Sequence, residues 1–99
     1  MKKSFSECCY TLLNKVPRGK VVSYGQIAHA LGTRAYRAVG TAMNRNPYAS
    51  KVQCHRVINS DGRLGGFGSG VEEKKKLLQS EGVIIKEGKI DFKKYGYSF

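Results

Sequence analysis

The residues with the most chemical potential in this sequence lie together in Gln53-Cys54-His55-Arg56-Val57-Ile58. A thiol with an imidazole and a guanidinium at hand can have its thiolate favoured, and the thiolate is the nucleophile. A Cys-His dipeptide is also a common coincidence, because neighbours in sequence often point apart. Cys8 and Cys9 sit in a different setting, and three cysteines neither complete a disulfide framework nor repeat a metal-ligand spacing. One Cys-His pair and a distant His29 make no zinc pattern. The expectation is a site with no metal and no cofactor. Gly65, Gly66, Gly68 and Gly70 lack the spacing of a phosphate cradle, and read as a tight backbone wrap with exposed amide N–H groups.

A second constellation lies in a helix expected from near Thr33 to about Arg45. At about 100° per residue, Arg34, Arg37, Thr41, Asn44 and Arg45 fall on one side. Ala35, Ala38, Val39, Ala42 and Asn46 fall on the other. The outer face carries three arginines and no acid. A solvated helix usually mixes signs, so this reads as a nucleic-acid face. The small inner face suits close packing on a preceding helix.

These residues need elements to hold them. Ser4-Phe5-Ser6-Glu7 is a capping box, and Phe5, Cys8, Cys9, Leu12 and Leu13 recur after it at helical spacing until Pro17. This makes Cys8 and Cys9 expected core residues. Ser23-Tyr24-Gly25-Gln26 is a second box, followed by Ile27, Ala28 and Leu31, with Gly32 at a C′ position. The joint Leu31-Gly32-Thr33-Arg34 is short enough for a helix-turn-helix. Asn59-Ser60-Asp61-Gly62 is turn chemistry. Val71 to Glu81 reads as a fourth helix ended by Gly82, and Ile84 to Ile90 as a small hairpin around Glu87-Gly88. The fold class expected is mainly α: a helix-turn-helix, winged-helix-like domain of about four helices, with short strands and a C-terminal hairpin.

Composition bounds the rest. Ninety-nine residues allow one domain, and 18 Lys+Arg against 7 Asp+Glu give a net charge of +11. That imbalance makes a polyanion the first partner to consider. A hydrophobic fraction of 40% and a charged fraction of 25% fit a folded domain rather than a basic tail. No run approaches the ~18 apolar residues of a membrane span, and no signal peptide is legible. The expected setting is a reducing cytoplasm, nucleoid-associated in a prokaryote, with no membrane contact.

Several segments then align with one family. Val16-Pro17-Arg18-Gly19-Lys20-Val21-Val22-Ser23-Tyr24-Gly25-Gln26-Ile27-Ala28, Arg37-Ala38-Val39-Gly40-Thr41-Ala42-Met43, Asn46-Pro47, Cys54-His55-Arg56-Val57-Ile58 and Leu77-Leu78 through Glu81-Gly82 occur in order. Together they resemble the C-terminal, DNA-binding and active-site domain of O6-alkylguanine-DNA alkyltransferases, over roughly Phe5 to Ile90. The resemblance implies that Cys54 accepts the alkyl group, His55 deprotonates it through a water, Glu81 polarises His55, and Asn46 braces the active-site turn. It places Tyr24 near the flipped nucleotide and makes Arg37 the side chain that fills the gap left by the base. Arg34, Thr41, Asn44, Arg45 and Arg56 are further expected DNA contacts. Phe67, Gly68 and Ser69 join Tyr24 in lining the substrate pocket, with amides near Gly68 and Ser69 facing guanine O6. The implied partner is double-stranded DNA containing O6-alkylguanine, bound through the minor groove by a monomer.

The sequence departs from the family pattern in three places. Gln53 stands where proline is usual, Phe67 where tyrosine is common, and Ser69 where glycine is usual in the pocket-lining turn. The family's N-terminal domain is expected to be missing, so that 1–99 is one DNA-binding and active-site domain. Three functions compete: a self-inactivating alkyltransferase, a non-catalytic alkyltransferase-like protein that binds alkylated DNA and recruits excision repair, and a plain helix-turn-helix regulator. The last needs no Cys54, His55 and Glu81 set.

Overall fold

The computed structural model describes residues 4–45, 54–65 and 70–99. Asn46, Gln53, Phe67, Gly68 and Ser69 lie outside the described residues.

Both expected capping boxes form. Ser4 Oγ accepts from the Glu7 amide at 3.1 Å and Glu7 Oε1 accepts from the Ser4 amide at 3.4 Å, opening α1 (Phe5–Leu13). Ser23 Oγ accepts from the Gln26 amide at 3.0 Å and Gln26 Oε1 accepts from the Ser23 amide at 2.8 Å, opening α2 (Tyr24–Ala30). Each box satisfies amides that a helix start leaves without partners. In α1 the buried face is Cys9, Tyr10 and Leu13, whereas Cys8 is half-buried and Phe5 is exposed. The expected stripe is thus rotated toward Tyr10, whose hydroxyl donates to the Ala42 carbonyl at 2.7 Å and turns that side onto the third helix.

That helix, α3 (Tyr36–Asn44), is shorter than the expected span of Thr33 to Arg45. Thr33 Oγ1 accepts from the Ala35 amide at 3.2 Å, and the Arg34 carbonyl accepts from the Tyr36 amide at 2.8 Å, so residues 33–35 form a turn. The buried residues are Val39, Ala42 and Met43, while Ala35 and Ala38 are exposed. Ala35 precedes the helix and loses its place on the wheel, and the larger Met43 draws the inner face round. α2, a short turn at Gly32 (φ 76°) and α3 are the helix-turn-helix.

Behind it β1 (Val22–Ser23) pairs in parallel with β2 (Val57–Ile58), Val22 opposite Val57 and Ser23 opposite Ile58. Successive strand residues face opposite ways, and the two apolar clusters of the core follow this alternation. Val22 and Val57 join Cys9, Leu13, Ile27, Val39 and Met43 under the first three helices. Val21 and Ile58 join Leu64, Leu78, Val83, Ile90 and Tyr95 under α4 (Val71–Ser80) and the C-terminal segment.

The hairpin forms as expected: Lys86 and Lys89 exchange both backbone hydrogen bonds at 2.9 Å across Glu87 (φ 52°) and Gly88 (φ 76°). These positive angles are the two-residue turn that matches strand twist. A fifth short helix, α5 (Phe92–Tyr95), follows, where none was expected; Asp91 caps it, accepting from the Lys93 amide at 2.9 Å. The chain then runs beside Val21, whose amide donates to the Tyr95 carbonyl at 2.8 Å and whose carbonyl accepts from the Tyr97 amide at 2.9 Å. Gln26 Nε2 donates to the Tyr97 carbonyl at 2.8 Å, so the cap residue of α2 also holds this segment.

Candidate active site

Cys54, His55 and Arg56 form a single 3-10 turn that leads directly into β2. The strand fixes the direction of the turn, and both Cys54 and His55 are buried. Glu81 arrives from the other side as the C-cap of α4, where Gly82 (φ 88°) lets the chain leave the helix. His55 Nε2 lies 2.8 Å from Glu81 Oε2. The tautomer that suits a carboxylate carries its proton on Nε2, which leaves Nδ1 as an acceptor. Burial holds the His55 imidazole below its ordinary pKa, opposed by the hydrogen bond to Glu81. A neutral imidazole oriented by a carboxylate is a general base.

Arg56 is held differently from its expected role at DNA. Its Nε donates to Glu81 Oε1 at 2.9 Å, its Nη2 to Glu81 Oε2 at 2.7 Å and its Nη1 to the Val16 carbonyl at 2.8 Å. The side chain is 12% exposed, and its guanidinium is turned into the protein, where it clamps Glu81. A bidentate Arg–carboxylate pair is geometrically demanding, and this one fixes both oxygens of the relay carboxylate. Burial would push the Glu81 carboxyl up, but hydrogen bonds from Arg56 and His55 and their charges hold it down at about 2. Gly19 N adds a long contact to Glu81 Oε1 at 3.5 Å.

Lys74 is a residue of this site that sequence reasoning missed. It was visible only as part of the Lys74-Lys75-Lys76 run, yet its side chain is fully buried while Lys76 is exposed. Its Nζ lies 3.4 Å from the Tyr24 hydroxyl and 5.6 Å from the centre of that ring. Burial lowers the Lys74 ammonium to about 8, against the pull of Cys54. Burial also raises the Tyr24 phenol, with the Cys54 charge as a second cause. Cys54, Tyr24 and Lys74 are therefore electrostatically coupled. The available signal was the four-residue spacing from Lys74 to Leu78, which puts Lys74 on the helix side that meets the core.

Arg34, Arg37, Thr41, Asn44 and Arg45 are all exposed, Arg34 from the turn before α3 and Arg45 from its C-cap. Thr41 Oγ1 donates to the Arg37 carbonyl at 3.1 Å. Tyr36, at the first position of α3, is 55% exposed and stands beside Arg37, a neighbour that helical patterning did not single out. Among the described residues no group of three or more His, Cys, Asp or Glu side chains comes together for a metal, and no helix is long and apolar enough to cross a membrane.

Residues 4–83 match the family described as 6-O-methylguanine DNA methyltransferase, DNA binding domain. The methylated-DNA–protein-cysteine methyltransferase of Thermococcus kodakarensis is 54% identical over 80 residues, which is 80% of this chain and 45% of that protein. A bifunctional methyltransferase/endonuclease of Picrophilus torridus is 42% identical over 90 residues, 90% of this chain and 30% of that protein. The chain thus spans half or less of these curated relatives. Among solved structures, S. pombe Atl1 in complex with damaged DNA containing O6-carboxymethylguanine superposes with a TM-score of 0.88 at 31% identity, covering 100% of both chains. Mycobacterium tuberculosis OGT in complex with DNA gives a TM-score of 0.76 at 41% identity, over 82% of this chain and 51% of that one.

Proposed function

The chain belongs to the 6-O-methylguanine DNA methyltransferase family through its DNA-binding domain, and from that premise we propose that it repairs O6-alkylguanine in duplex DNA by moving the alkyl group onto Cys54. The observation that carries this reading is the buried His55–Glu81 hydrogen bond adjoining Cys54, with the exposed arginine face on a neighbouring element. The basic face supplies affinity that does not depend on sequence. Arg37 enters the stack as the damaged base swings out, which a protein must arrange before chemistry on a base can occur. Arg34, Thr41, Asn44 and Arg45 hold the flanking backbone.

In the transfer, His55 takes the Cys54 proton through a water, with Glu81 stabilising the imidazolium that forms. The thiolate attacks the alkyl carbon, the S–C bond forms as the C–O6 bond breaks, and the electron pair passes to the guanine, which regains a proton. Tyr24, with Lys74 behind its hydroxyl, is the proton donor nearest that step, and the Lys74 charge favours the thiolate before it. The family pattern assigns Asn46 to bracing the active-site turn and Phe67, Gly68 and Ser69 to the substrate pocket, all of them outside the described residues. A thioether does not hydrolyse readily, so each molecule acts once. No metal or cofactor takes part.

A second reading has one observation in its favour: the superposition on Atl1 extends over the whole of both chains. On that reading the protein clasps alkylated DNA without transfer. Incubation with an O6-methylguanine duplex followed by intact mass spectrometry separates the two. One methyl added, mapped to Cys54, is the expected result; tight lesion-selective binding with no mass change overturns transfer.

A further inference from the structure

Beside Tyr24 a cleft of about 320 Å³ is lined by Tyr24, Gly25, Tyr36, Asn59, Ser60 and Asp61. Its size falls within the range of small-molecule clefts, about 300–1,000 Å³. Two walls are aromatic and come from the start of α2 and the start of α3. The third is the turn 59–63, which is internally tied: the Asn59 amide donates to the Arg63 carbonyl at 2.9 Å and the Arg63 amide to Asp61 Oδ1 at 3.0 Å. Tyr36 opens directly next to Arg37, so whatever fills the cleft lies beside the point where that arginine enters DNA.

The chemistry of the lining selects the occupant. Asp61 is half-exposed at the rim, with Arg63 Nε at 3.6 Å as a partial counter-charge. A carboxylate accepts hydrogen bonds and repels a phosphate, which disfavours the DNA backbone here. Asn59 and Ser60 offer both donors and acceptors, and the exposed Tyr36 ring offers a face. A planar ring with a polar edge is what this combination fits, and aromatic side chains stack on bases of any sequence. Such a base becomes available when a wedge opens the duplex and unstacks its neighbours.

We infer that the Tyr24–Tyr36 cleft is a second nucleotide subsite, which takes the base flanking the flipped lesion and uses Tyr36 as its stacking platform. The inference rests on the DNA-repair reading above and adds a contact outside the alkyl-transfer pocket. It makes Tyr36 a determinant of how firmly the opened duplex is held.

A double-mutant cycle between protein and DNA tests it. Wild type, Tyr36→Ala and Tyr36→Phe are titrated with an O6-methylguanine duplex and with duplexes in which the 5′ or the 3′ flanking nucleotide is abasic; circular dichroism checks that each variant is folded. Wild type should lose affinity about tenfold with one of the abasic flanks, the scale of one base–aromatic stack. Tyr36→Ala should lose the same amount on the intact duplex and lose nothing more on the abasic one. Tyr36→Phe, which keeps the ring, should follow wild type. Equal affinity of wild type and Tyr36→Ala, or losses that simply add, overturns the subsite. Binding without methyl gain at Cys54 overturns transfer and leaves the cycle to judge the subsite, whereas failure of wild type to bind DNA overturns both.

Discussion

Glu81 serves two partners at once. It orients His55 through one oxygen and receives the Arg56 fork on both. Removing one partner of a buried ion pair strands the other, at a cost of about 3–5 kcal/mol. Arg56→Ala should therefore lower stability by about that much in urea unfolding, while leaving the salt dependence of binding to undamaged DNA unchanged; a lost phosphate contact would reduce the slope by about one. The depressed carboxyl also sets an acid limit. A carboxylate whose folded pKa is lowered stabilises the fold above its unfolded pKa, and that stability disappears as pH falls through the folded one. The urea midpoint should accordingly drop as pH falls from 4.5 towards about 2, and Glu81→Gln should flatten this drop. For transfer, the imidazole of His55 stays neutral further into acid than usual, and Lys74 loses its proton at about 8. The single-turnover rate should be flat through neutrality, fall in acid as His55 protonates, and fall above about pH 8, with Lys74→Met removing the alkaline limb. At this scale the sequence is legible only in part. Cys54 and His55 are adjacent, but Glu81 joins them from another element, and only the family resemblance named it. Residue type says that Arg56 and Lys74 are cations and cannot say that both point inward.

Elements were most readable where their signals are local. A capping box is read by four consecutive residues, and both boxes formed. The face of α3 is a tertiary property: which residues are buried depends on where α1 and α2 meet it, so Met43 replaced Ala35 and Ala38. α5 escaped notice because four residues carry no periodicity, and backbone bonds to Val21 hold the segment that follows it. Two substitutions separate the roles of helices. Ser23→Ala removes the α2 cap and should cost about 1 kcal/mol of stability, seen as a lower thermal midpoint. Arg37→Ala should leave the midpoint in place and weaken binding to an O6-methylguanine duplex; unchanged affinity would remove Arg37 from the wedge role.

For the whole molecule, the charge of +11 becomes a measurable salt dependence. On the proposed reading, the logarithm of affinity for duplex DNA should fall linearly with the logarithm of salt, by about 0.9 for each phosphate engaged. A flat profile would contradict an electrostatic grip. β1 meets β2 from the middle of the chain and, through Val21, the segment around Gly96. Pairings so distant in sequence form late and slowly. As the polypeptide leaves the ribosome, the first three helices can assemble from what has already been made, but the second core waits for Ile90 and Tyr95. A nascent chain stopped just after Glu81 carries Cys54, His55, Arg56 and Glu81, yet lacks the bonds that flank Val21. During synthesis the nucleophile, which belongs to the first core, is therefore present before the second core on the other side of the β1–β2 pair is filled.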